Sequence, residues 1–126
     1  MDPEWNDGQP IYRQLRDRVA AMMLEGVLKE GDPLPSVRNV AAEYRVNPLT
    51  VLKAYQQLVD EALVEKRRGL GMYMSTGARS LLLQGERDRF LNEQWPQVLA
   101  TIRRVGLDAR ELLSQPAGSQ KGTGDE

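Results

Sequence analysis

Apolar residues recur three or four positions apart in several separate stretches of the chain, and this spacing predicts helices. The first predicted helix begins after Pro10 and ends at Gly26. The second begins at the N-cap Ser36, and the third begins at Pro48 after a tight turn and a capping Asn47. The apolar positions that these helices are expected to bury are Ile11, Leu15, Val19, Met22, Met23, Val37, Val40, Ala41, Tyr44, Val51, Ala54, Tyr55 and Leu58.

Two short runs of β-forming residues follow the third helix. Residues 63–66 and 72–75 flank a basic turn that contains two glycines, and this pattern predicts a β-hairpin. The order of helix, helix, tight turn, helix and hairpin is typical of a winged helix-turn-helix. The alternative interpretation is a small helical domain with an unrelated hairpin.

The pattern after the hairpin is helical again, and one face of a long helix is apolar. Pro96 is expected to bend this helix or to break it near Asn92, and Asp108 caps a short helix that runs through Leu113. Because the apolar face is too large for so small a domain to cover, we expect a second copy of the chain to cover it. The alternative is that it folds back on the winged domain of its own chain. Its residues are Phe90, Leu91, Trp95, Val98, Leu99 and Ile102.

These patterns together predict a mainly α fold with a small β-hairpin, in which a winged helix-turn-helix precedes a short two-helix dimerisation region. We expect a flexible arm over residues 1–9 and the winged helix-turn-helix over residues 10–77. A helical dimerisation and effector region is expected over residues 78–113. Residues 114–126 are rich in Gly, Ser and polar residues, so we expect a disordered tail there.

The composition excludes whole classes of chemistry. The chain has no cysteine and no histidine, which removes disulfides, zinc fingers, thiol nucleophiles and histidine general bases. We therefore expect no enzyme activity, no cofactor and no metal site. The longest apolar run, Val19 to Leu24, is too short to span a bilayer, and the acidic start of the chain is unlike a secretory signal. We expect a cytoplasmic protein without a membrane partner.

The net charge of −1 argues weakly against a nucleic-acid partner, but the cations are concentrated in one part of the chain. The segment from Ser36 to Gly71 contains six cationic and four anionic side chains. Screening mutes charges that lie more than about 8 Å away, so a locally basic face on an acidic chain still binds phosphates.

Two clusters and one single residue are candidates for contacting DNA. Arg38 lies in the first turn of its helix, where the dipole disfavours a cation unless an anion such as phosphate binds; the alternative is an ion pair with Glu43 or Asp32. The start of the third helix and the hairpin tip hold small, polar or basic side chains, although a simple cap and a solvated turn would explain them as well. These candidates are Asn47, Leu49, Thr50 and Lys53 on the helix, and Arg67, Arg68 and Gly69 at the tip.

The chain between residues 10 and 75 resembles the GntR family of bacterial transcription regulators. The residues that carry the resemblance are Pro10-Ile11-Tyr12, Gly26, Leu28, Gly31-Asp32, Leu34-Pro35-Ser36-Val37-Arg38, Ala41, Val46-Asn47-Pro48, Thr50-Val51, Lys53-Ala54-Tyr55, Leu58, Leu63-Val64 and Arg68-Gly69-Leu70-Gly71. Residues 76–126 are too few for a large effector domain, so the chain looks like the YtrA subfamily. The resemblance implies a dimer, DNA contacts at Arg38, Asn47, Thr50, Lys53 and the wing around Arg68 and Gly69, and control of an operon that often encodes an ABC-type transporter.

Four positions depart from the family pattern. Ala62 stands where relatives usually have glycine after the third helix, which would cost roughly 1 kcal/mol if φ there is positive. Leu49 and Leu52 occupy positions that are often polar or basic, so the base preference cannot be copied from relatives. Met72 replaces the usual threonine of the wing.

The sequence therefore predicts a homodimeric repressor that binds double-stranded DNA at a palindromic operator. The alternative is a winged-helix module that binds protein and not DNA. A small-molecule effector is unidentified: Trp5 and Trp95 are candidates for lining its site, although packing is the commoner role of such residues.

Overall fold

The computed structural model describes residues 5–115, and six α-helices, a hairpin and a π-helical turn make up this part of the chain. The helices are α1 (Ile11–Glu25), α2 (Val37–Tyr44), α3 (Pro48–Asp60), α4 (Ala78–Arg89), α5 (Trp95–Arg104) and α6 (Ala109–Ser114). The antiparallel strands β1 (Val64–Arg67) and β2 (Gly71–Met74) lie between α3 and α4, and the π-helical turn (Phe90–Gln94) lies between α4 and α5. The predicted mainly α fold with one hairpin is confirmed.

The first compact unit extends to Gly85 and is built around α3. The apolar face of α3 packs against α1, α2 and β1, and its four predicted inner residues are all buried. The unit ends within α4, because Ala78 and Leu82 belong to the same core. The buried core residues are Leu15, Val19, Ala20, Met23, Leu28, Leu34, Val40, Ala41, Val51, Ala54, Tyr55, Leu58, Leu63, Val64, Met74, Ala78 and Leu82.

The predicted ends of α1, α2 and α3 are confirmed by their caps. Gly26 closes α1 with a φ of +83°, which a residue without a side chain adopts readily. The Ser36 hydroxyl accepts the N–H of Asn39 at 3.0 Å and begins α2. Arg45 then takes a left-handed φ of +56° in the tight turn, and Asn47 begins α3.

The chain before α2 adds a short extended segment to the hairpin. The N–H of Leu34 donates to the Met72 carbonyl at 2.9 Å, and the N–H of Met74 donates to the Asp32 carbonyl at 2.9 Å. A bridge also pairs Pro33 with Tyr73. The hairpin is thereby fixed to the segment from which α2 starts.

Residues 5–9, in the predicted flexible arm, make specific contacts, whereas residues 1–4 lie outside the described part. The Trp5 ring lies edge-on against Tyr44 at a centroid distance of 6.0 Å, and the Arg18 guanidinium lies 4.9 Å from the Trp5 ring. The side chain of Gln14 bonds to the N–H and the carbonyl of Asn6. Trp5 is therefore a packing residue. Ile11, predicted on the buried face of α1, is exposed instead, because it lies in the first turn, beyond the core.

The second compact unit starts at Glu86 and contains the π-helical turn, α5 and α6. Pro96 has no N–H to donate to Asn92, and the helix widens so that the N–H of Trp95 reaches the carbonyl of Phe90. The predicted break near Asn92 is thus a π-helical turn. Asp108 caps α6 as predicted, by accepting the N–H of Arg110 at 2.9 Å, and the predicted tail beyond residue 115 lies outside the described residues.

No described residue of the second unit is fully buried. Phe90, Leu91 and Val98 of the apolar face are between 44% and 60% exposed, and Trp95, Leu99 and Ile102 are half-buried. The rings of Phe90 and Trp95 lie 6.1 Å apart, so Trp95 packs within its own unit. Within residues 5–115, no helix is both long enough and apolar enough to cross a membrane.

Candidate nucleic-acid interface

The first turn of α2 presents an unpaired cation. Arg38 is exposed, and its guanidinium makes no ion pair with any of residues 5–115, so neither Glu43 nor Asp32 neutralises it. The Asp32 carboxylate instead accepts the N–H of Lys29 at 2.9 Å. The side chain and the free N–H groups of this helix end together form an electropositive position that suits an anion.

The start of α3 places the four predicted helix residues at or near the surface. Asn47 caps the helix, because its Oδ1 accepts the N–H of Leu49 at 2.8 Å. Leu49 and Lys53 are exposed, and Thr50 is half-buried. The buried Tyr55 lies on the opposite face, where its hydroxyl donates to the Pro35 carbonyl at 2.7 Å. The helix therefore has one side in the core and one side open.

Two residues of α1 that the sequence does not predict at this surface contribute to it. Lys53 Nζ lies 4.3 Å from the ring centroid of Tyr12, a cation–π contact. Tyr12 and Ile11 also line an open depression of about 370 Å³ together with Asn47, Leu49, Thr50 and Lys53. The helical period places residues on a face of α1, but it does not show which other helix that face meets.

The hairpin tip holds the predicted arginines in two different settings. Arg67 is engaged within the hairpin, since its Nε lies 2.9 Å from Glu65 Oε2 and its guanidinium lies 4.1 Å from the Tyr73 ring. Arg68 is exposed and forms no ion pair with the described residues. Gly69 adopts a φ of +75° in the turn, which a side chain would strain. Arg67 is thus held within the hairpin, and Arg68 is available to bind an anion.

The buried Tyr55 is held in its neutral form. Burial raises the pKa of Tyr55 to about 12, so this phenol stays neutral and acts as a hydrogen-bond donor. No three acidic side chains of residues 5–115 gather as a metal site would need.

Comparison with known proteins identifies the chain. The family described as "Bacterial regulatory proteins, gntR family" matches residues 11–74. Over 112 residues the chain is 37% identical to the HTH-type transcriptional repressor YtrA of Bacillus subtilis, with 89% of this chain and 84% of that relative covered.

Solved structures agree with this match. A transcriptional regulator from Oenococcus oeni is similar with a TM-score of 0.71 and 29% identity, covering 88% of this chain and 91% of that one. YtrA from Sulfolobus acidocaldarius, a GntR-family transcription factor, is similar with a TM-score of 0.55 and 34% identity, covering 70% and 93%. Because the family match spans half of the chain and a relative at 37% identity spans most of it, the chain belongs to the GntR family, is similar to YtrA, and is a transcription regulator with a winged helix-turn-helix rather than an enzyme.

Proposed function

We propose that the chain is a homodimeric repressor that binds a palindromic operator in double-stranded DNA through the starts of α2 and α3 and through the hairpin tip. The single observation that carries this proposal is the pair of unneutralised cations, Arg38 and Arg68, on elements that the fold fixes to one another. Arg38 and the wing bind phosphates and so set the register of the protein on the duplex.

Base readout belongs to the first turns of α3. Leu49 and Lys53 point away from the core, and Thr50 lies at its margin. The Asn47 amide nitrogen is available to donate, because the cap uses only its oxygen. In helix-turn-helix proteins this part of the helix enters the major groove.

The apolar face of the second unit supports the homodimer. Its members Phe90, Leu91 and Val98 remain 44% to 60% exposed within one chain. An apolar surface of this kind on a helical unit is covered when two copies pair about a twofold axis. Two winged domains related by that axis match the two half-sites of a palindrome.

Repression follows if the bound dimer blocks access of RNA polymerase to a promoter. The relative from Bacillus subtilis is named a transcriptional repressor, and the resemblance to the YtrA subfamily extends the proposal to an operon for an ABC-type transporter. The site of action is the cytoplasm, where such an operator lies. A small-molecule effector, if one binds, acts by changing the angle between the two winged domains, since only one arrangement fits both half-sites.

The test is selection of duplexes from a random pool with the full chain, followed by affinity measurements on the selected palindrome. Lys53→Ala and Arg68→Ala should each weaken binding about a hundredfold, since each of the two copies loses a charge-assisted contact to DNA worth roughly 1–3 kcal/mol. Arg103→Ala, which removes an exposed arginine of α5, is the matched control and should bind as the wild type does.

Two results would contradict the proposal. One is a selection that yields no preferred duplex. The other is equal DNA affinity of Lys53→Ala, Arg68→Ala and the wild type, as expected of a winged-helix module that binds only protein.

A further inference from the structure

Leu49 is the most exposed large apolar residue of α3. It lies in the first turn and is 69% exposed, whereas Val51, Ala54 and Tyr55 on the other face are buried. The core gains almost nothing from its side chain. An isolated exposed leucine is ordinary in a protein surface, so its position matters more than its exposure.

That position is the wall of the depression between the starts of α1 and α3. Two polar side chains of the depression already make contacts within the chain: the Asn47 oxygen accepts the N–H of Leu49, and the Lys53 ammonium lies over the Tyr12 ring. Leu49 and Ile11 provide the apolar part of its lining, and both are exposed. The first turn of α3 therefore presents one exposed aliphatic side chain at this depression.

An aliphatic side chain has no hydrogen-bonding atom, which restricts what it recognises on a base pair. The edges of the bases in the major groove carry donors and acceptors, and the 5-methyl group of thymine is their apolar feature. A G·C pair beneath Leu49 would lose water from its polar edge without gaining a hydrogen bond. An A·T pair would bury its methyl group against the leucine.

We propose that Leu49 is a specificity-determining residue that reads the 5-methyl group of a thymine in each half-site. The inference rests on the proposed binding of DNA through α3, and it adds the chemical feature that this helix selects. The half-site therefore contains one A·T pair whose thymine methyl is required, at the base step beneath the first turn of α3.

The experiment uses the full chain and the palindrome selected from the random pool, with each thymine replaced in turn by deoxyuridine, which removes only the methyl group. At one position per half-site the wild type should lose affinity about fourfold per methyl, the effect of removing one buried methyl-sized group. Leu49→Ala should bind the thymine and deoxyuridine duplexes equally. Leu81→Ala is the matched control, since Leu81 is a 53% exposed leucine of α4, outside the elements proposed to contact DNA, and it should keep the wild-type discrimination.

The outcomes separate this inference from the proposed function. Absence of any preferred duplex overturns the DNA-binding function itself. A preferred duplex that the wild type binds equally well with thymine or deoxyuridine at every position overturns the role of Leu49 alone. So does discrimination that survives in Leu49→Ala, provided that the thermal unfolding of the variant matches the wild type.

Discussion

Ala62 holds a backbone conformation that residues with a side chain rarely adopt, with φ at +65°. The turn needs this conformation, because the N–H of Leu63 returns to the carbonyl of Leu58 at 2.9 Å and closes the end of α3. The methyl group of alanine is disfavoured there, whereas glycine adopts the same φ without strain. The turn therefore has the backbone conformation that glycine favours, and Ala62 adopts it with strain.

Ala62→Gly should raise the free energy of unfolding by about 1 kcal/mol, because it relieves this strain. Urea denaturation measures the change. Ala42→Gly is the control, since Ala42 is exposed in the middle of α2 and the same substitution there should cost about 1 kcal/mol. A loss of stability in both variants would contradict the strain at residue 62.

At the scale of the elements, Tyr55 links α3 to the segment that leads into α2. Its ring is buried in the core, and its hydroxyl donates to the Pro35 carbonyl at 2.7 Å. Burial raises the pKa of Tyr55 to about 12. The folded state thus holds the neutral phenol, and the unfolded chain ionises near the ordinary tyrosine pKa of about 10.

This difference makes stability depend on alkaline pH. Above about pH 10 the unfolded state loses the tyrosine proton first, so the contribution of Tyr55 falls by about 2–3 kcal/mol as the pH rises to about 12. Tyr55→Phe should be about 1 kcal/mol less stable than the wild type at pH 8, because the hydrogen bond is lost. The gap should shrink and then reverse between pH 10 and 12, measured by urea denaturation. A constant gap across this range would contradict the account.

The sequence predicts those elements that depend on residues close to one another along the chain. The cap at Asn47, the proline at position 48 and the apolar period place α3 correctly, and Pro96 places the interruption before α5. The pairing of residues 31–34 with β2 and the contact of Tyr12 with Lys53 were missed, since both join residues far apart in sequence. Periodicity identifies a buried or exposed face, but it does not name the partner of that face.

At the scale of the whole molecule, the chain carries two kinds of exposed surface on two compact units. The first unit presents Arg38, Lys53 and Arg68, and the second presents the apolar face that includes Leu91. In the proposed repressor the first surface binds DNA and the second pairs two copies. Each phosphate contact is then made twice in every complex, so the loss of one arginine removes two contacts.

The most direct test of the paired DNA-binding molecule is the salt dependence of its affinity for the selected palindrome. The slope of log K against log salt concentration should be several units, and it should fall by about 1.8 in Arg38→Ala, because two copies each lose one phosphate contact worth about 0.9. A fall of only about 0.9 would contradict the pairing. An unchanged slope would contradict the contact between Arg38 and the DNA backbone.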